Sequence, residues 1–520
     1  MEDLKRNESA SLEKLDNEHA EYAVGADADV PTLSPAEEKK LVRKIDFKLV
    51  PFLSLLYLLS FLDRVNIGQA KLDGIIPDLG LTANQFQITL LVFFVGYVSF
   101  EIPSNTILKM AKPSRYISAC MLLWGITMTL MGIVKSFGGL VAARFCLGIA
   151  ESPLFPGISY YLVSWYKREE SNLRVAIFFS SATIAGAFGG ILAWAISKMR
   201  GIGGKPGWSW IFIIEGLMTV AVSLVAPWMI QDFPEDAKFL TEKERKFVVH
   251  RLRQDTGGAG NFRWLYVKNA FRDWKTYVFA LIYIGIACPL YALSLFSPTI
   301  ISELGSFNIP QSMLLSTPPY VLACIFTIIS AFISDRMKQR GIFNIGWMST
   351  TCIGYIILLA IDVRQKPGVA YFAVFLCVGG IAPCIANSIA WIGGNTAPVI
   401  KRGTAMGVFF MTGNSGGIIS SVIYRAQDKP AYRLGHGVSL GFSVMALTLS
   451  IFMRIWFARE NARRDAKYGP VPKTVIGPAG VETTAVRDDP VLRAKYGLEG
   501  MSEEDIEALG DKSPFFRYLL

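Results

Sequence analysis

The sequence predicts an all-α membrane protein with about twelve transmembrane helices in two pseudo-symmetric six-helix bundles. Three observations carry that expectation: a deficit of charge, its confinement to a few blocks, and an internal repeat. Of 520 residues, 52% are hydrophobic and 18% are charged, against roughly 25% charged in an average soluble domain. The charges crowd into the first fifty residues, the stretch from Gln231 to Lys275, and the tail after Arg459. Between them lie long apolar blocks. A hydrocarbon core of about 30 Å, crossed at about 1.5 Å per residue, takes roughly 20 mainly apolar residues.

Runs of that length lie at 48–67, 84–109, 116–134, 138–165, 173–197 and 208–230, then at 276–302, 311–334, 343–362, 369–392, 403–424 and 437–458. The chain then divides into an N-terminal tail (1–47), a first bundle (48–230), a connector (231–275), a second bundle (276–458) and a C-terminal tail (459–520). An even number of crossings puts both termini on one side. Short loops on the two sides hold nearly equal numbers of Lys and Arg, so the flanks decide which side that is. Lys39, Lys40, Arg43, Lys44 and Lys48 precede the first run, ten Lys and Arg lie from Lys238 to Lys275, and Arg459, Arg463, Arg464 and Lys467 follow the last. This excess places the termini and the connector in the cytoplasm. The polar opening of the chain does not read as a cleavable signal peptide, so the first apolar run is expected to direct insertion.

The net charge of +10 sits in short segments between apolar runs, where it faces cytoplasm and anionic headgroups rather than nucleic acid. Seven cysteines fall inside the apolar runs without a CxxC pair, the pattern of small buried hydrophobes. In the connector, Thr241-Glu242-Lys243-Glu244 fits a capping box, with Arg245, Phe247, Val248 and Leu252 following at amphipathic spacing. A helix along the membrane surface is expected there. Ser502-Glu503-Glu504-Asp505 predicts another short helix before Pro514, and the aromatic end of Phe515, Phe516 and Tyr518 predicts a packing contact.

The repeat shows when the halves are laid side by side. Gly186-Ala187-Phe188-Gly189-Gly190-Ile191 in the fifth run recurs as Gly413-Asn414-Ser415-Gly416-Gly417-Ile418 in the eleventh, each following a basic residue, Arg174 or Lys401. Small residues at such spacing let helix backbones approach closely. Six spans repeated around a polar connector is the layout of alternating-access carriers.

A charge at mid-membrane costs several kcal/mol, so each one needs a reason. The candidates are Asp63 and Arg64 in the first run, Glu101 in the second, and Arg144 and Glu151 in the fourth, with Glu215 and Arg454 nearer the ends of theirs. Almost all stand in the N-terminal half. Arg144 and Glu151 are seven residues apart and share a helix face; Asp63 and Arg64 project about 100° apart. Paired arginines suit a carboxylate ligand, and buried carboxylates suit proton uptake. Pairing that merely holds helices together is the competing reading. Glu101, before Pro103, suits a gate or an interhelical hydrogen bond; Glu215 and Arg454 receive no role. Asn414 and Asn387 offer hydrogen bonds to a ligand or to neighbouring backbone. His19, His250 and His436 all fall in expected tails or loops, which argues against a histidine proton relay. No nucleophile motif, metal cluster or nucleotide loop stands out, so neither an enzyme nor a metal site is expected.

Ala331-Phe332-Ile333-Ser334-Asp335-Arg336-Met337-Lys338-Gln339-Arg340-Gly341 resembles the loop signature of the major facilitator superfamily. That likeness implies a gate built on Asp335, Arg336 and Arg340. The first-half copy departs from it: after Glu101-Ile102-Pro103-Ser104-Asn105, Lys109 stands where an aspartate is expected. Leu62-Asp63-Arg64-Val65-Asn66-Ile67-Gly68 and Arg144-Phe145-Cys146-Leu147-Gly148-Ile149-Ala150-Glu151 are similar to the anion:cation symporter branch. Phe233-Pro234-Glu235 and the terminal Phe-Phe-Arg-Tyr resemble fungal allantoate and nicotinate permeases. The resemblance implies that Arg64 holds an anionic group, that Asp63 and Glu151 take up protons, and that Arg144 alternates among them. It implies proton-coupled uptake of a small organic anion such as nicotinate, allantoate, pantothenate or tartrate; Asn414, from its place as a polar group in the eleventh run, is a further candidate for substrate contact. The proton is the coupling ion and no other cofactor is expected. The expected partners are that anion and the lipid bilayer, most simply the plasma membrane, with an endomembrane as the alternative. Export, uncoupled carriage and a non-transporting nutrient sensor are the other readings. Oligomeric state stays open, and the sequon Asn7-Glu8-Ser9 falls in the N-terminal tail.

Overall fold

The computed structural model describes residues 33–256, 264–305, 307–469, 475–476, 482–483, 494, 496–501, 509–514 and 516–520. The predicted helix at 502–505, Phe515, the sequon and His19 lie outside the described residues. Among those described, twelve long helical segments follow one another, numbered here α1 to α12. The first six are α1 (Pro35–Leu72), α2 (Ala83–Met110), α3 (Pro113–Met131), α4 (Phe137–Glu151 and Leu154–Val163, broken at Ser152-Pro153), α5 (Arg168–Ser197) and α6 (Gly207–Met229). The second six are α7 (Trp274–Glu303), α8 (Ile309–Leu315 and Thr317–Met337, broken at Ser316), α9 (Gly341–Ala360), α10 (Pro367–Asn395), α11 (Val399–Ile423) and α12 (Arg433–Tyr468). A two-residue antiparallel ladder pairs Val475–Ile476 with Glu482–Thr483 in the tail.

Each segment coincides with an apolar run, but several are longer than hydropathy alone suggests. The first begins at Pro35, where Ser34 and Glu37 cap each other's backbone N–H and proline takes the first helical position. Leu41, Val42, Ile45 and Leu49 bury one face of this extension, so it is amphipathic rather than uniformly apolar. The last helix starts at Arg433 and carries His436 inside it, buried and bonded to the Tyr424 hydroxyl at 3.1 Å. The expectation that His436 lies in a loop is therefore corrected: a polar first turn hides the helix start from hydropathy. Among the described residues, eleven helices are long and apolar enough to cross a bilayer. The remaining one, α3, has 19 residues that include Ser114, Arg115, Ser118, Thr127 and Thr129. It packs closely on α6, where Gly125 faces Thr219 and Val220.

Two equivalent ion pairs mark the repeat. The Arg174 guanidinium on α5 grips Asp46 on α1 through bonds of 2.9 and 2.8 Å. The Lys401 ammonium on α11 reaches Asp273, the N-cap of α7, at 2.6 Å. Adding 227 to 46 and 174 gives 273 and 401, and the same 227 carries Gly186 to Gly413. Each half is thus tied between its first and fifth helices, at the end where α1 begins and α12 finishes, called here the terminal face.

Glycines set the junction between halves. A Cβ on Gly68 of α1 would lie 2.5 Å from the carbonyl oxygen of Leu295 on α7, and Leu295 is the counterpart of Gly68 one repeat later. Gly190 of α5 packs on Met313 and Ser316 of α8, and its counterpart Gly417 of α11 packs on Phe94 of α2. Among the described residues, side-chain hydrogen bonds cross the junction. Thr317 donates to the Ala187 carbonyl (2.8 Å), Gln87 to the Tyr424 carbonyl (3.3 Å) and Asn414 to Glu101 (3.0 Å). Dispersion packing of small residues and these few polar bonds, rather than ion pairs, make this contact.

On the terminal face, each half is closed by the chain that follows its sixth helix. After α6, the expected capping box forms between Thr241 and Glu244 and opens the helix Glu242–Thr256. From this helix Arg251 reaches Glu38 (3.0 Å) and Glu170, while Glu244 holds Lys44 at 2.7 Å. After α12, the segment 509–520 folds back onto the second half. Asp511 bridges Lys401 (2.6 Å) and Lys275, and Arg464 caps the carbonyls of Asp511 (3.1 Å) and Phe516 (2.8 Å). Tyr518 stacks on Phe457 with centroids 4.5 Å apart. The Leu520 carbonyl accepts from the backbone N–H of Arg340 (2.5 Å) and Gly341 (3.1 Å), which caps the N-terminus of α9.

Candidate functional site

The intramembrane charges separate into three groups that the linear sequence does not distinguish. In the first, the Arg64 guanidinium of α1 donates to Glu151 of α4 at 2.8 Å, with the Ser60 hydroxyl at 3.4 Å from the same oxygen. Three rings surround Arg64: the centroids of Phe93, Tyr97 and Tyr291 lie 5.4, 5.0 and 5.9 Å from its guanidinium carbon. Such rings favour a cation while excluding water. Arg144, 1% exposed, stands beside this pair with its guanidinium carbon 5.9 Å from the Phe93 centroid. Its Nε and Nη2, like Oε1 of Glu151 and Nε of Arg64, find no hydrogen-bond partner among the described residues. The seven-residue spacing does place Arg144 and Glu151 on one face of α4, but Glu151 pairs with Arg64 instead.

The second group lies inside the first bundle, between α1, α3 and α6. Asp63 accepts from the Trp124 indole (2.6 Å) and the Thr219 hydroxyl (3.3 Å). Next to it the Asn66 amide donates to Glu215 of α6. Residues 63 and 66, three apart on a helix, share this face while Arg64 looks away from it. Glu215, given no role from the sequence, is fully buried here.

The third group crosses the halves. Asn414 donates to Glu101 of α2 and accepts from the Tyr291 hydroxyl at 2.7 Å. Asn414 thus meets a carboxylate from the other half rather than nearby backbone. Because the Tyr291 ring also faces Arg64, this chain is continuous with the first group.

The expected gate near the terminal face is only partly assembled. Asp335 pairs with Arg340, which also donates to the Ser334 hydroxyl at 2.9 Å. Arg336 instead turns outward over the Phe332 ring, 4.6 Å from its centroid. One residue from Asp335 on the helix, it cannot share a face with it, whereas Arg340 returns from the following turn. Glu101 does not join this gate.

Trp124, Thr219, Asn66 and Tyr291 escaped the sequence reading because uncharged residues in an apolar run look like packing. For two of them the sequence held a signal. Asn66 stands one helical turn from Asp63, and Tyr291 is the repeat counterpart of Arg64.

Two repeated helical bundles, with buried charges inside the first and at its contact with the second, define a two-halved membrane transporter. The chain belongs to the Major Facilitator Superfamily, whose family model matches residues 53–421; this is a family of transporters, not enzymes. It is 33% identical over 442 residues to the high-affinity nicotinic acid transporter of Saccharomyces cerevisiae, covering 85% of this chain and 82% of that one. It is 36% identical over 433 residues to an uncharacterized transporter of Schizosaccharomyces pombe, covering 83% and 88%. An MFS-type transporter of Penicillium expansum is 33% identical over 501 residues, covering 94% and 92%. Among solved structures, a bacterial homolog of the human lysosomal transporter Spinster, inward-facing and occupied, superposes with a TM-score of 0.56 at 15% identity. It covers 82% of this chain and 97% of its own, a likeness of fold.

Proposed function

We propose that this transporter takes up a small organic anion together with protons, binding the anion's carboxylate between the two halves at Arg64 and Arg144. The observation that carries the reading is Arg144, a buried guanidinium with Nε and Nη2 unpartnered among the described residues. Buried donors without acceptors cost free energy, and a carboxylate supplies two acceptors in the matching fork geometry. Glu151 is the exchangeable partner. It occupies Arg64 when no substrate is present and must yield when a substrate carboxylate arrives, and a proton taken up by Glu151 removes its hold. Tyr291, Asn414 and Glu101 carry the change at Arg64 to the second half. Asp335 and Arg340 gate the terminal face, which we assign to the cytoplasm of a cell whose plasma membrane the protein spans.

The test is uptake of labelled nicotinate, allantoate, pantothenate and tartrate by expressing cells at acidic and neutral outside pH, with and without a protonophore. Accumulation of one acid that is stimulated by acid, blocked by the protonophore and lost in Glu151→Gln is expected. Accumulation of none, with the protein present at the cell surface, overturns the reading.

A further inference from the structure

We propose that Glu215 is a second proton-binding group of the transport cycle, held protonated by Asn66 in this conformation. The inference rests on the proton-coupled reading above and extends it to a residue outside the substrate site. Glu215 is fully buried, and Oε1 of Glu215 and Oδ1 of Asn66 are both acceptors without a donor among the described residues. The Asn66 amide already donates to the other Glu215 oxygen. One proton on the carboxyl supplies the missing donor: the acid O–H gives to the Asn66 carbonyl while the Asn66 N–H gives to the acid carbonyl. Carboxylic acid and carboxamide then satisfy each other, which an ionised Glu215 cannot do because a carboxylate only accepts.

Among the described residues, the surroundings offer no cation to hold a carboxylate there instead. The helices packed on α6 are α1, α3 and α5. Toward Glu215, α1 presents Asn66 and Asp63, its charge-bearing neighbour. From α3, Trp124 meets Asp63 and Thr129 meets Gly216, the neighbour of Glu215 in sequence, and α5 meets α6 through Ala193 and Ile196. Asp63 differs in having two neutral donors, Trp124 and Thr219, both on its Oδ2, while its Oδ1 has no partner among the described residues. Two coupled carboxyls disfavour double ionisation, which adds to the reasons for a proton on Glu215.

The link to substrate is helix α1 itself. It carries Arg64 toward Glu151 and, two residues on, Asn66 toward Glu215. A shift of α1 as Arg64 exchanges Glu151 for a substrate carboxylate slides Asn66 along Glu215 and removes its acceptor. Glu215 then releases its proton to water, becoming a carboxylate, and takes one back when α1 returns; no other bond changes.

Two readouts on the purified full-length protein test this. Infrared difference spectra of the protein in lipid nanodiscs, titrated from about pH 5 to about pH 9, are expected to show a protonated-carboxyl stretch that is absent in Glu215→Gln. The same stretch should move to higher frequency in Asn66→Ala, where the acid loses its amide partner. In proteoliposomes with labelled nicotinate as the probe, Glu215→Gln is expected to lower by one the protons moved per nicotinate, read from the gradient that balances flux. A Glu215→Gln spectrum superimposable on wild type, an Asn66→Ala stretch that does not move, or an unchanged proton ratio overturns the proposal. Should the wild type accumulate no acid at all, the coupled reading fails separately, and a carboxyl stretch that never titrates would dismiss Glu215 as well.

Discussion

Tyr291 is the counterpart of Arg64 one repeat later, and the two side chains meet, with the Tyr291 ring centroid 5.9 Å from the Arg64 guanidinium carbon. The duplication that built the fold therefore left a cation in one half and an aromatic receptor for it in the other. The Tyr291 hydroxyl continues to Asn414, and Asn414 to Glu101. Phenylalanine at 291 keeps the ring and removes that link. Because a neutral hydrogen bond contributes about 1 kcal/mol, Tyr291→Phe should lower transport several-fold. Tyr291→Leu, which also removes a cation–π contact worth about 2 kcal/mol when desolvated, should lower it further. Initial uptake rates at equal surface expression check the order; equal rates for the two variants would deny the ring a role.

Arginine at 64 is required for shape as well as charge. Glu151 takes Nη2 of the guanidinium while the Phe93, Tyr97 and Tyr291 rings surround it, their centroids 5.4, 5.0 and 5.9 Å from its carbon. Lysine keeps the charge but loses the planar fork and the stacking surface. Arg64→Lys should lower uptake at least about tenfold, the effect of some 1.4 kcal/mol in a transition barrier. The split between apparent affinity and maximal rate, measured over a range of substrate concentrations, locates the loss.

The span pattern, the two halves and the connector helix were legible because each follows from local chemistry: apolar runs of bilayer length, a glycine repeat, a capping box. The charged residues were legible as candidates because a bilayer makes every charge conspicuous. Their grouping was not legible. Asp63 and Arg64 are neighbours in sequence yet serve different sites, since a helix turns about 100° per residue and tertiary packing decides what each face meets. Asp511 was invisible for the opposite reason: in a polar tail an aspartate looks solvated, and nothing local says that the chain folds back to bury it between two lysines.

Ion pairing at Asp273 gives a pH signature outside the membrane. Burial by itself raises a carboxyl, but Lys275 and Lys401 outweigh it and hold Asp273 below its usual range. A folded value below the unfolded one means that its stabilisation is present above about pH 4 and is lost as pH falls through the folded value. Asp273→Asn should therefore lower the thermal midpoint in detergent by a similar amount at neutral and mildly acidic pH. The gap between variant and wild type should narrow only below about pH 4. A gap that closes between neutral and mildly acidic pH would assign the titration elsewhere.

The returning tail should matter to stability through Asp511 more than through its outer charges. Asp511 is 1% exposed and neutralises Lys275 and Lys401 together, and both lysines are themselves buried. Replacing it with alanine leaves two ammonium groups facing one another with Asp273 alone to balance them. Removing one partner from a buried pair costs about 3–5 kcal/mol. Asp465, by contrast, pairs with Arg517 on a side chain 55% exposed, and exposed pairs contribute about 0–1 kcal/mol. Asp511→Ala should lower the thermal midpoint clearly and make residues 509–520 a substrate for carboxypeptidase, because Leu520 then leaves the N-terminus of α9. Asp465→Ala should do neither. If the two variants lose equal stability and keep the tail protected, the tail is held by Tyr518, Arg464 and the asparagine contacts, and the lysine bridge is incidental to it.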